Sequence, residues 1–195
     1  MKKVFIYPHY ANPYQTMLYQ AMEKDNKIVV SYFDDLYLNK HRYLDPILYP
    51  IPLLLNRLKG YKTFHIHWQN FAFKTPVSVI NKPLSFLYTI FFLFFLKVFR
   101  YKIVWTIHNL VPHEPVTSND LLITRILCKW SDVKIANSQE TINKLKSMRL
   151  NTTKTIVIPL GNFIGYYKNS VTIKKAKEKL EIKENEFVVL YFGYS

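Results

Sequence analysis

Glycine is scarce in this chain, with four in 195 residues. Neither a Gly-x-Gly-x-x-Gly turn nor a glycine-rich phosphate loop can be assembled, which excludes dinucleotide binding and P-loop nucleotide chemistry. The single cysteine, Cys128, rules out an internal disulfide and a cysteine-based zinc site, and suits a reducing compartment. Acidic residues number 13 against 27 Lys and Arg, a formal net charge of +14. Such an imbalance calls for anionic partners: lipid headgroups, phosphorylated substrates or nucleic acid. No Gly-x-Ser-x-Gly occurs, so a serine hydrolase of that pattern is excluded. Met1-Lys2-Lys3 opens like a secretory leader, but only Val4 to Tyr7 follow before Pro8 and His9 interrupt, and the stretch reads as a strand. There is no internal repeat and no low-complexity linker.

What is present is apolar and aromatic. At 49% hydrophobic and 16% aromatic residues, the chain can bury a sizeable core. Strands are predicted at 3–8, 27–33, 63–68, 102–107, 133–136, 155–158 and 187–192. Helices are predicted at 13–24, 53–58, 76–100 (in two pieces divided near Pro83), 118–130, from Ser138 to about 149, and before Leu180. Strands alternating with helices imply an α/β fold: a Rossmann-like parallel β-sheet with helices on both faces. Residues 1–170 form the main domain. Residues 171–195 read as a connector followed by the first strand of a further domain.

Right-handed crossovers bring every strand's carboxyl end to one rim. The strand Lys102 to Ile107 runs there into a loop carrying His108, Asn109, His113 and Glu114, four site-capable groups within seven residues. One such histidine is explained as an ordinary loop residue; packing does not explain the whole cluster. The same rim should carry His9 to Asn12, Trp68 to Asn70, Asn137-Ser138 and Leu160 to Asn162. His9 precedes a helix start at Asn12-Pro13, where free N–H groups could meet an anion, or is plain loop. His65 and His67 point to one side of their strand, a metal-ligand spacing that also fits core histidines. Ser138 is explained by helix capping alone. Leu84 to Phe99, with 13 apolar residues in 16, falls short of the roughly 20 of a membrane span. It reads either as a buried crossover helix or as one that dips into a leaflet. The Lys-rich segment 168–183 lacks interleaved aromatics and argues against nucleic acid.

The segments TIHNLVPHE, NPYQTMLYQAM, HIHW, SDVKIANSQET and IPLGNFIGYY, in this order, resemble the amino-terminal half of GT-B glycosyltransferases. Within that group they are most similar to the bacterial enzymes that build exopolysaccharide, capsule or O-antigen units. The resemblance implies two Rossmann-like domains across a cleft, the first mainly holding acceptor and the second most of the nucleotide-sugar. It implies that Tyr10, Asn12 and Pro13 approach acceptor, and that His108 lies beside the donor's sugar or phosphates. Asn109, His113 and Glu114 would shape the loop, Ser138 would sit on the substrate side, and Gly161 and Asn162 would stand at the domain interface. His9 or Glu114 would serve as base, depending on stereochemistry. No metal or other cofactor is implied. The partners would be a nucleotide-diphosphate-sugar donor, a lipid-linked or saccharide acceptor, an anionic membrane surface at the cytoplasmic face and a second-domain chain. Where the family usually reads Pro-His-Gly, this chain has Pro159-Leu160-Gly161, one imidazole fewer, and the donor-binding domain is expected to lie beyond the sequence. Two rival readings remain: a non-catalytic module binding glycan, lipid or a partner, and a metal hydrolase using His65, His67, His108 and His113.

Overall fold

The computed structural model describes residues 1–9, 12–24, 28–33, 48–69, 78–168 and 170–189. These fall into two compact units, Met1–Gly161 and Asn162–Ser195. The first holds a six-stranded parallel sheet in the order β2-β1-β3-β4-β5-β6. Its strands are β1 (Lys2–Tyr7), β2 (Ile28–Tyr32), β3 (Tyr61–Ile66), β4 (Lys102–Ile107), β5 (Val133–Ala136) and β6 (Thr155–Val157). The helices are α1 (Pro13–Glu23), α2 (Pro50–Leu58), α3 (Ser78–Val98), α4 (Asp120–Trp130) and α5 (Gln139–Ser147). The second unit contains α6 (Ile173–Lys179), where the Lys177 ammonium donates to the carbonyls of Glu184 and Glu186 at 2.7 Å each. Residues 187–189 of the predicted last strand are not in strand conformation; the rest of it lies outside the described residues.

Period-two alternation sorts the strand side chains into two layers. Phe5, Tyr7, Phe64, Ile66, Ile103, Trp105 and Ile107 enter the large core, which α2, α3, α4 and α5 cover with Leu53, Phe92, Leu93, Leu127 and Leu145. Val4 and Ile6 enter a smaller core on the other face, covered by Tyr19 of α1. The handedness rule explains this division. Only the β1–β2 connection runs toward the β2 edge, so its helix lies on the face opposite the others. Phe92 is fully buried and its ring centroid lies 5.1–5.9 Å from those of Tyr49, Phe64, Phe33 and Tyr7. Truncating it to Ala should cost about 3–5 kcal/mol.

Helix α3 runs unbroken through Pro83. That proline removes one hydrogen bond, to the exposed first turn, so the predicted division does not occur. The helix is long and apolar enough to cross a membrane by length and composition, with a third of its most apolar window buried. Ser85, Tyr88, Thr89, Phe92, Leu93 and Leu96 face inward, whereas Leu87, Phe91, Phe94 and Val98 form an exposed stripe. The inward side matches the buried crossover helix expected from the sequence.

Gly60, at φ of 94°, follows the C-cap of α2, but other helices of this glycine-poor chain end without one. Arg100, Arg149 and Glu181 each take φ of 55–57° just past α3, α5 and α6. The following N–H then reaches back to close the helix, as Tyr101 does to Leu96 at 2.8 Å and Leu150 to Leu145 at 2.9 Å. Lys97 at the end of α3 meets Asp132 at 3.1 Å, and Asp132 also accepts from the Ile103 N–H. This joins α3 to the start of β4.

Candidate functional site

The carboxyl ends of β3 and β4 carry the chemistry. The β3 ladder continues one residue past the strand, the His67 N–H donating to the Tyr7 carbonyl at 2.9 Å. His65 and His67 therefore point to the face covered by α1, as does Thr106 on β4, and their imidazole centroids are 4.3 Å apart. The Tyr19 hydroxyl reaches between them, bonding His65 Nδ1 at 2.8 Å and His67 Nε2 by a short contact. His65 Nε2 meets Thr106 Oγ1 at 2.8 Å, and His67 Nδ1 meets His108 Nε2 at 3.1 Å. Trp68 stacks on His108, and Tyr14 stands edge-on to His67 and His108.

These groups are neutral near pH 7. Burial, then the neighbouring His108, pushes His65 down to about 3. Burial, then His65 and His108, depresses His67 further, and burial lowers His108 to about 4. Burial, with Tyr14 and Tyr32 close by, raises the Tyr19 phenol well above its ordinary range. Burial also raises Tyr14, opposed by a hydrogen bond with Thr106. Both ring nitrogens of His65 and both of His67 are spent on these hydrogen bonds. The His-x-His pair is thus engaged in a hydrogen-bonded layer; no group of three or more His, Cys, Asp or Glu that could hold a metal ion is found among the described residues.

A cavity of about 350 Å³ opens beside this layer, lined by His67, Trp68, Gln69, Trp105, Asn109, Pro112, His113, Glu114 and Val116. Its size is that of a small-molecule site. Two indoles give it flat apolar walls, and imidazole, amide and carboxylate groups surround them. The loop that forms one side is anchored twice. The Gln69 amide donates to the Leu110 carbonyl at 3.3 Å and to Thr124 Oγ1 at 3.0 Å, and Thr124 Oγ1 itself bonds the same carbonyl. Farther on, Asp120 accepts from the Val116 N–H, the Thr117 N–H and the Thr117 hydroxyl at 2.7–3.0 Å.

The predicted residues divide accordingly. Asn109, His113 and Glu114 line the cavity. His108 is half-buried, bonded to His67 and covered by Trp68 just behind that lining. His9 stacks on Tyr32 at 3.8 Å, and Tyr32 stands edge-on to Tyr19 of the imidazole layer. Asn12 caps α1 by accepting from the Gln15 N–H at 3.0 Å, with Pro13 in the first turn. Ser138 caps α5, accepting from the Thr141 N–H at 3.3 Å. Gly161 ends the first unit, and in the second the Asn162 side chain accepts from the Ile164 N–H at 3.0 Å. Tyr10 lies outside the described residues. Sequence reasoning missed Tyr14, Tyr19, Thr106, Trp105 and Thr124. The available signal was in α1: Gln15 and Tyr19, one turn apart, are its buried positions and both are polar.

No family profile matches the sequence, and no curated protein does. Among solved structures the chain is similar to HepE (Alr3699) of Anabaena in complex with UDP, with a TM-score of 0.56 and 16% identity, covering 93% of this chain and 50% of that one. It is also similar to the same protein in complex with UDP and glucose, with a TM-score of 0.54 and 15% identity, covering 92% and 50%. This chain spans about half the length of those structures. At such identity the likeness is one of fold.

Proposed function

We propose that this chain is the acceptor-side half of a GT-B glycosyltransferase of surface-polysaccharide type. The complete enzyme transfers a sugar from a nucleotide diphosphate to a hydroxyl of a lipid-linked or saccharide acceptor. The observation that carries the reading is the indole-walled cavity at the carboxyl rim of β3 and β4. Flat aromatic surface suits the C–H face of a sugar ring, and the surrounding amide, imidazole and carboxylate suit its hydroxyls. The fold likeness to a protein crystallised with UDP and glucose supports it. In the reaction the bond from the anomeric carbon to the diphosphate oxygen breaks and one to the acceptor oxygen forms. The acceptor proton leaves to a base, and the nucleoside diphosphate departs. If the reaction inverts, Glu114, exposed at the cavity lining, serves as that base. His108, neutral and half-buried, orients a sugar hydroxyl by hydrogen bonding. Asn109 and His113 contribute further polar contacts. The donor's nucleotide and the departing charge are left to a second-domain partner.

The exposed stripe on α3 and the net charge of +14 support work at the cytoplasmic face of an anionic membrane, where lipid-linked acceptors reside. The test is transfer of labelled glucose from UDP-glucose to a lipid or oligosaccharide acceptor, with and without a donor-binding chain. Transfer that needs both chains, and falls about 10²-fold or more in His108→Ala, is expected. Saccharide binding with no transfer under either condition would make the chain a non-catalytic glycan-binding module.

A further inference from the structure

The layer behind the cavity has a property that follows from counting protons. Four hydrogen bonds run in series: His108 Nε2 to His67 Nδ1, His67 Nε2 to the Tyr19 hydroxyl, that hydroxyl to His65 Nδ1, and His65 Nε2 to Thr106 Oγ1. A neutral imidazole has one N–H and one bare nitrogen, so a ring bonded through both must donate on one side and accept on the other. His65 and His67 are such rings. Tyr19 has one proton and two imidazole partners; accepting from both would leave that buried proton unpaired, so it donates to one ring and accepts from the other. No carboxylate or ammonium takes part in the series, so nothing within it can break the direction. Only two arrangements give every proton in the series a partner, and in both all four bonds point the same way.

We infer that Tyr19 is a positioning residue that forces His65, His67 and His108 into one common tautomer. If the bonds run from His108 toward Thr106, all three rings carry their proton on Nε2. If they run from Thr106 toward His108, all three carry it on Nδ1. His108 Nδ1 has no hydrogen-bond partner among the described residues, so the first arrangement presents a bare nitrogen there and the second an N–H. The hydroxyl of Thr106 and the outer nitrogen of His108 are thereby linked across the buried layer. A ligand group that donates to His108 selects one arrangement and a group that accepts from it selects the other. This consequence rests on His108 facing substrate; the coupling itself does not.

Long-range proton–nitrogen correlation spectra of the 15N-labelled chain read each ring's tautomer directly, without ligand or turnover. The wild type should show the three histidines protonated on the same type of nitrogen. Tyr19→Phe keeps the ring but removes the relay. An unsatisfied buried N–H is costlier than a bare nitrogen, so His65 should then carry its proton on Nε2 while His67 and His108 carry theirs on Nδ1. Thr106→Val should drive all three to Nδ1. A wild type with unlike tautomers among the three, a Tyr19→Phe variant that keeps a common tautomer, or a Thr106→Val variant that splits them would overturn the inference. A transfer assay that fails while the common tautomer holds would count against the proposed function and leave this inference standing.

Discussion

The indole of Trp68 lies flat over the imidazole of His108, centroids 4.4 Å apart and planes 12° from parallel. Trp68 thereby lines the cavity and shields the half-buried histidine together. Trp68→Ala removes that cover, so the pKa of His108 should rise from about 4 toward its ordinary 6.5. A proton NMR titration of the ring signals measures this; an unmoved His108 would show that its depression comes from elsewhere.

The neutral histidines also set a pH dependence of stability. Folded, His65 titrates at about 3 and His108 at about 4, with His67 depressed as well, against 6.5 for each unperturbed. Between those values the unfolded chain binds more protons. Their contribution is therefore complete above about pH 6.5 and is lost as pH falls toward the folded values. Each histidine accounts for at most about 1.4 kcal/mol per pH unit, so the three together give at most about 4. Thermal melting at pH 7, 6 and 5 should show a progressive loss, where a flat profile is the opposing result.

Loop anchoring is separable from the cavity chemistry. Asp120 takes three hydrogen bonds from Val116 and Thr117. Asp120→Ala should cost about 1–3 kcal/mol and speed amide exchange at 116 and 117 while leaving β4 protected. Exchange that rises equally in β4 would mean that the fold, not the loop, has loosened.

At Arg149 the backbone holds φ at 55°, a conformation that costs an L-residue roughly 1–2 kcal/mol and glycine little. Arg149→Gly should raise stability by about 1 kcal/mol after the added flexibility of the unfolded chain is set against it. Urea unfolding of the two proteins gives the difference, and its sign decides.

Leu87, Phe91, Phe94 and Val98 form a solvent-facing stripe on α3, and exposed Lys59, Lys62, Arg100 and Lys102 sit where α2 and α3 end. An apolar strip edged by cations fits an anionic bilayer surface. The chain should co-sediment with vesicles rich in anionic lipid and release at high salt. Phe91→Glu with Phe94→Glu should weaken binding about tenfold or more without altering the melting curve. Equal binding of the double variant would remove α3 from the membrane contact.

Much of the frame was legible from residues alone. The apolar run Lys102–Ile107 has the limits its hydrophobicity suggests, and Asn12 and Ser138 cap helices as their positions imply. Of the expected cluster, Asn109, His113 and Glu114 line a cavity, whereas His108 bonds His67 behind that lining. What stayed hidden were partnerships across the fold. Alternation places His65 and His67 on one side of β3, but which helix covers that side depends on strand order and crossover hand. Tyr19 is 46 residues from His65 and 48 from His67 in sequence, and no local pattern pairs them. Trp105 reads as an ordinary core residue because its strand buries it; only the loop beyond turns one side of it into a cavity wall.

The most direct measurement follows the three indole N–H signals of the 15N-labelled chain during titration with glucose and with UDP-glucose. Trp68 and Trp105 line the cavity, whereas Trp130 packs against the core from α4. Saturable shifts of the first two with Trp130 stationary are the expected result. If Trp68 and Trp105 stay fixed at concentrations where either compound binds elsewhere, or if neither compound binds at all, the cavity is not a sugar site.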